Sequence, residues 1–400
     1  MSAILRSGRD FSSLTGLRTL FIIWVMFSHA PTEVVPPFLR SIQTHWTFGV
    51  DGFLAISGFL VTRSLMDCQN RWGDVEGGLG RNRTAVLEYL VRRVSRIWPP
   101  YFAMLGFLGI FGYFSQGAFH QQLIVLGNSL ISFPLFFANY TMAPVHGHIP
   151  LILQAYWSIS YQEQFYLLIL LLLALNRKRW VPVLIVATLG SIFVRVLTTL
   201  RFEEKTGHAF QLETFLHLNL DAMGWGCIAW LAYEHLSFLW SRPRRAWIST
   251  GVILSLLILS IALRSFATDD FSRAMLSTIR APLLALLVRM ICEFDSSNLP
   301  PIRLLKSRLM QTIGKATYEI FLLHIVVYAV LQKTPLKYSP WFLSVSYPIS
   351  FAVGYLAYRG FGLPAQRWLK MRLRGPLGLS RNVSSKGTGA SVCPPRTFSL

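Results

Sequence analysis

The chain has 400 residues, of which 53% are hydrophobic, 14% aromatic and only 14% charged, with a formal net charge of +20. These proportions exclude an ordinary soluble domain and a disordered chain, and they suit a polytopic membrane protein with interfacial aromatic belts. The positive charge lies between apolar runs, as in cytoplasmic membrane loops, so no nucleic-acid partner is expected, and the four cysteines show no paired spacing for disulfides or a metal site.

The first apolar run, 13–31, holds Arg18 and His29 within LTGLRTLFIIWVMFSHA. A charged and a titratable side chain inside a membrane-length run are costly and mark function. On a helix their separation amounts to three turns plus about 20°, which puts both on one face with Cα atoms roughly 16 Å apart along the axis. An arginine set inside the apolar stretch, followed by many further runs, argues against a cleaved signal peptide.

Further runs of spanning length follow at 47–66, 97–115, 157–175, 181–199, 213–233, 246–265, 274–293, 311–332 and 339–358. The predicted fold class is therefore an all-α polytopic membrane protein with about ten transmembrane helices. The stretch 121–138 is broken by Asn128, Ser129, Ser132 and Pro134. If it does not cross, Arg6/Arg9, the cluster from Arg71 to Arg96, Arg177/Lys178/Arg179, Arg242/Arg244/Arg245, Arg303/Lys306/Arg308 and the tail from Arg359 all share one side. The positive-inside rule then makes that side cytoplasmic, with both termini on it, and 121–138 re-entrant or interfacial. The expected organisation is a cytoplasmic N-terminus (1–12), a membrane domain (13–358) and a basic, disordered cytoplasmic tail (359–400) containing SSKGTGAS.

With that orientation Asp51, Glu163, Asp221, Arg280 and His324 fall at the outer depth of His29, which predicts one buried, water-filled chamber. Arg92, Arg93 and Arg96 gather at the cytoplasmic mouth near Arg18, where planar guanidinium groups suit oxyanion recognition. Acyl transfer is the chemistry this suits. His29 would be the general base on an incoming hydroxyl, Glu163 would orient the imidazole, and a phosphate-rich donor such as an acyl-CoA would enter from the cytoplasm. Ser57 and Gly58 read as residues for close helix packing. His146 and His148 read as solvated or acceptor-contacting, and Trp24, Trp98, Trp157 and Trp180 as interfacial anchors. The alternative is a proton-coupled transporter of a polar or anionic substrate; inverted repeats and broken helices in matching halves would favour it, and neither stands out.

The runs resemble the acyltransferase 3 family of membrane O-acyltransferases that modify bacterial surface glycans. The likeness covers about residues 13–358. It rests on the Arg18/His29 segment, GVDGFLAISGFL from Gly49, RRVSRIWPPY with Arg93 and Arg96, WSISYQEQFYL with Glu163, NLDAMGWG with Asp221, and GKATYEIFLLH ending at His324. The resemblance implies ten core helices in a bacterial inner membrane and no bound cofactor. It also implies an acyl-CoA donor, most simply acetyl-CoA, and a carbohydrate or glycolipid acceptor at the outer face.

Three departures from the family pattern stand out. Gln162 occupies the first of two usually acidic positions, which leaves Glu163 to carry that role. Asn219 replaces the arginine that commonly precedes the Asp-Ala element, and Arg280 is expected to supply the charge instead. No SGNH-type esterase domain is expected, and any such step is expected in the membrane domain or on a partner.

Overall fold

The computed structural model describes residues 11–43, 47–73, 78, 80–114, 120–121, 123–124, 127–141, 151–153, 155–206, 215–266, 270–377 and 379. His146 and His148 lie outside them. Among the described residues the regular structure is entirely helical. The helices that position the site are α1 (Ser12–Ser28), α2 (Thr47–Trp72), α3 (Arg83–Phe114), α4 (Tyr156–Leu168), α5 (Trp180–Thr206), α6 (Leu216–Leu231), α7 (Pro243–Phe266), α8 (Asp270–Glu293), α9 (Arg308–Lys315), α10 (Thr317–Leu331), α11 (Phe342–Ala357) and α12 (Leu363–Arg374). Among the described residues each expected run overlaps one of these helices or the α9–α10 pair, though α3 begins well before the run 97–115 and α4 ends before the run 157–175 does.

Five helices are long and apolar enough to cross a membrane alone, or six if the bent α9–α10 pair is one span. The expected count of ten is not reached on that measure. Helix α1 has 17 residues, α6 and α11 have 16, and α4 has 13 before the chain tightens into a 3-10 helix at Ile169–Ala174. A helix of that length rises only about 24 Å, short of the roughly 30 Å hydrocarbon thickness. The outer faces of α5 and α7 expose Val186, Phe193, Ile258 and Leu263. Helices whose backbone bonds are satisfied internally and whose apolar faces point outward suit lipid as solvent, and the chain is an integral membrane protein.

The stretch 121–138 forms no long helix among its described residues. It contains a 3-10 helix at Gly127–Ser132, and the short helix Ala138–Thr141 begins at its end. Phe136, at φ 57°, turns its carbonyl to accept from Gln164 Nε2 on α4 at 2.6 Å. The tail expected to be disordered from residue 359 instead begins as helix. A π-turn at Tyr358–Gly362 leads into α12, whose Arg374 pairs with Glu88 on α3.

Two close crossings fix α1. A Cβ on Gly16 would collide with the Leu305 carbonyl, and one on Gly314 with the Thr15 carbonyl. Only a missing side chain permits backbones to approach so closely. Thr19 Oγ1 donates to Met310 O at 2.7 Å and Gln311 Nε2 to Ser12 O at 2.7 Å, so α9 holds the turn of α1 that carries Arg18. Helices α9 and α10 meet at 77° around Ala316, where Thr317 Oγ1 donates back to Gly314 O at 2.9 Å. That bend delivers Lys315 and Tyr318 to the same region.

Candidate functional site

A cavity of about 500 Å³ lies among α1, α2, α3, α4, α9 and α10, and Arg18, Arg93, Arg96 and Glu163 all line it. Arg18 is half-buried, two positions beyond the Gly16 crossing; Arg93 and Arg96 project from the same face of α3, three positions apart. Arg93 and Arg96 are near enough to Arg18 to repel it. Among the described residues none of the three forms an ion pair. Arg93 rests over the rings of Tyr89 (5.8 Å) and Tyr166 (5.5 Å), and its Nε is buried without a hydrogen-bond partner. Three guanidinium groups and the Glu163 carboxylate border one void, and an arginine with an unused buried donor can hold an oxyanion there.

Glu163 sits in this cavity and not beside His29. Its Oε2 accepts from Trp98 Nε1 at 3.1 Å, and its Oε1 is buried without a partner. Gln162 and Tyr166 line the same wall, with Tyr166 Oη donating to Gln162 Oε1 at 3.2 Å. Trp98 is therefore a ligand for a carboxylate as well as a surface ring. Trp180 is fully buried and donates to Leu175 O at 3.3 Å, so it is not an interfacial anchor. A smaller chamber of about 120 Å³ adjoins the cavity, sharing Thr15, Arg18, Arg96, Lys315 and Tyr318 with it and adding Glu319 and Gln366.

His29 caps the end of α1 and faces His324 of α10, with ring centroids 5.2 Å apart. His29 Nδ1 is 2.8 Å from Val25 O, and His324 Nδ1 is 2.8 Å from Phe321 O. A carbonyl only accepts, so each Nδ1 carries the proton and each Nε2 keeps a lone pair. Tyr328 Oη, donating to Met26 O at 3.0 Å, ties α10 to α1 beneath the pair. The partner of His29 is thus a second imidazole, where a carboxylate was expected.

Asp51, Asp221 and Arg280 do not join the imidazoles either. Arg280 is fully buried and clamps Asp51, with its Nε 3.0 Å from Oδ2 and its Nη2 donating to Thr47 Oγ1 at 2.7 Å. Asp221 is held by Arg195 through two bonds of 3.0 and 2.7 Å. The expectation that Arg280 stands in for the arginine missing at Asn219 is overturned, since Arg195 from α5 does so and also donates to Asn219 Oδ1 at 2.9 Å. Both pairs border one void of about 20 Å³, room for a single water. The single outer chamber expected from the sequence is therefore three places: a cationic cavity, an imidazole pair and a charge-paired helix junction.

Arg195 was missed although it interrupts the run 181–199, the same signal that marked Arg18. Arg63 and Lys315 likewise interrupt the runs 47–66 and 311–332, whereas Tyr318 and Phe321, which also line the cavity, carried no comparable signal. Among the described residues no three His, Cys, Asp or Glu side chains come together as a metal site.

A helical bundle with apolar outer faces, an arginine-lined cavity and a pair of facing imidazoles defines a membrane protein with an internal polar cavity. A family model described as an acyltransferase domain matches residues 11–359, and the chain belongs to this acyltransferase 3 family. It is also similar to a protein of Acidianus two-tailed virus named "Putative acetyltransferase ORF330". The two are 24% identical over 321 residues, 79% of this chain and 82% of that protein. No solved structure gives a match.

Proposed function

We propose that the protein is a membrane O-acyltransferase. It moves an acyl group, most simply acetyl, from cytoplasmic acyl-CoA to a hydroxyl of a surface polysaccharide, lipid-linked glycan or lipo-oligosaccharide. The observation that carries this reading is the cavity lined by Arg18, Arg93 and Arg96, whose wall at Phe321 stands one helical turn from the imidazole pair. Membership of an acyltransferase family favours it over transport.

The donor's phosphates bind the three arginines, with Lys315 at the rim, and the thioester reaches toward His29 and His324. The unpartnered oxygen of Glu163 accepts from an amide N–H of the donor arm, a binding role in place of the orienting one. His29 Nε2 takes the proton of the acceptor hydroxyl as the oxygen attacks the thioester carbonyl. The C–S bond breaks, the thiolate leaves, and the imidazolium returns the proton to sulfur. Asp51, Arg280, Arg195 and Asp221 hold α2, α5, α6 and α8 in register around this path. In this reading the arginine-rich end is cytoplasmic, both termini lie there, ten helices form the core in a bacterial inner membrane, and the bilayer thins or the short helices tilt little to accommodate them.

The test is transfer of labelled acetyl from acetyl-CoA into the surface-glycan fraction of membranes carrying the wild type, His29→Ala or Arg18→Ala. Both variants should lose transfer while inserting normally. Undiminished transfer by either would reject the mechanism.

A further inference from the structure

On α10 an aromatic ring stands between the cavity and the His324 imidazole. Phe53 and Phe321 line the cavity, but His29 and His324 do not. The Phe321 ring lies 5.9 Å from the His324 ring on one side and 6.5 Å from Phe53 on the other. Phe53 is backed in turn by Phe21 at 5.9 Å, and Phe21 is 3% exposed. The Phe21 ring lies flush against Gly52, where a Cβ would collide with it, so the backing has no room to retreat. Phe321 and His324 are three positions apart on α10, a rise of about 4.5 Å. On α1 the last cavity residue, Arg18, is eleven positions from His29. Among the described residues α10 links the cavity to His324 through the Phe321 side chain, and α2 runs close to α1 beside it, where a Cβ on Gly49 would meet Val25.

We propose that Phe321, backed by Phe53, is the wall that limits the size of the acyl group the donor can carry. This rests on the acyl-CoA reading above. A donor anchored by its phosphates at Arg18, Arg93 and Arg96 points its acyl end at this wall. A methyl group fits against the ring faces, whereas each added methylene must displace a ring that Phe21 and Gly52 hold in place. Phe53 and Phe321 are themselves half-buried and take no part in binding phosphate or in proton transfer.

The experiment measures binding of CoA, acetyl-CoA, butyryl-CoA and hexanoyl-CoA to the full-length protein in nanodiscs, for the wild type, Phe321→Ala and Phe53→Ala. The wild type should bind acetyl-CoA as well as CoA and hexanoyl-CoA at least tenfold more weakly. Phe321→Ala should shrink that hexanoyl penalty at least fivefold with CoA affinity unchanged, and Phe53→Ala should do so to a smaller extent. Equal acyl-chain ratios in the wild type and both variants, or hexanoyl-CoA binding as well as acetyl-CoA in the wild type, overturns the wall while leaving the donor reading standing. Failure of the wild type to bind CoA itself overturns the donor reading and the wall with it.

Discussion

His324 Nε2 lies 3.5 Å from His29 Nδ1, and each ring is tethered through its own Nδ1 to a carbonyl of its own helix. At that separation the two rings are neighbours with only a weak bond between them. The tethers matter more, because they fix both tautomers with Nε2 unprotonated. In the proposed mechanism, this holds His29 at the end of α1 ready to collect a proton from an incoming hydroxyl, with a second imidazole beside it on α10.

Loss of this base has a definite signature. His29→Ala should lower the transfer rate by about 10²–10⁴, the usual contribution of general base catalysis. In the wild type only the neutral imidazole accepts a proton, so the rate should fall on the acid side and level off above it. Initial rates across the pH range with saturating acetyl-CoA check this, and a profile flat on the acid side would remove His29 from the role.

Arg18→Lys should weaken the donor almost as much as Arg18→Ala. Lysine keeps the charge but not the planar fork that grips a phosphate with two parallel bonds. A charge-assisted bond is worth about 1.5–3 kcal/mol, or roughly a tenfold to hundredfold rise in KM for acetyl-CoA. Steady-state kinetics with varied donor give the number, and kcat should move less than KM.

The buried pair Arg195–Asp221 should behave as a structural element. Asp221→Ala strands a guanidinium that is 3% exposed and should cost about 3–5 kcal/mol. Replacing both residues together with apolar side chains of similar volume should restore most of the loss, because no charge is then left unpaired. Thermal unfolding of the single and double variants in detergent distinguishes this from a catalytic role.

Gly314→Ala should both destabilise the protein and raise KM for the donor. Its new Cβ meets the Thr15 carbonyl, which pushes α9 off the segment of α1 that carries Arg18. Gly106→Ala on α3, where a Cβ would meet nothing within 4 Å, should leave both properties unchanged. Paired melting curves and donor titrations make the comparison.

The helical pattern was legible because long apolar runs can only be helices in lipid, and Arg18, Arg93 and Arg96 announced themselves as cations beside such runs. Depth was read less well. Glu163 and His29 fall at one depth on a count of residues, but α4 has 13 residues and α1 has 17, so equal counts do not mean equal heights. Partner choice was harder still. Which arginine meets Asp51 and which meets Asp221 depends on how α5 and α8 rotate, and nothing in one sequence fixes that. Phe321 was hidden for a different reason: an aromatic ring in an apolar run looks like any other core residue until the cavity beside it is seen.

The most direct test is equilibrium binding of CoA to the purified protein in nanodiscs, compared with Arg93→Ala. Arg93 has a buried Nε that meets no protein acceptor, so an anion should be its partner. The cavity account predicts saturable binding to the wild type that weakens with added salt, and at least tenfold weaker binding to the variant. Equal affinity in the two proteins would contradict it.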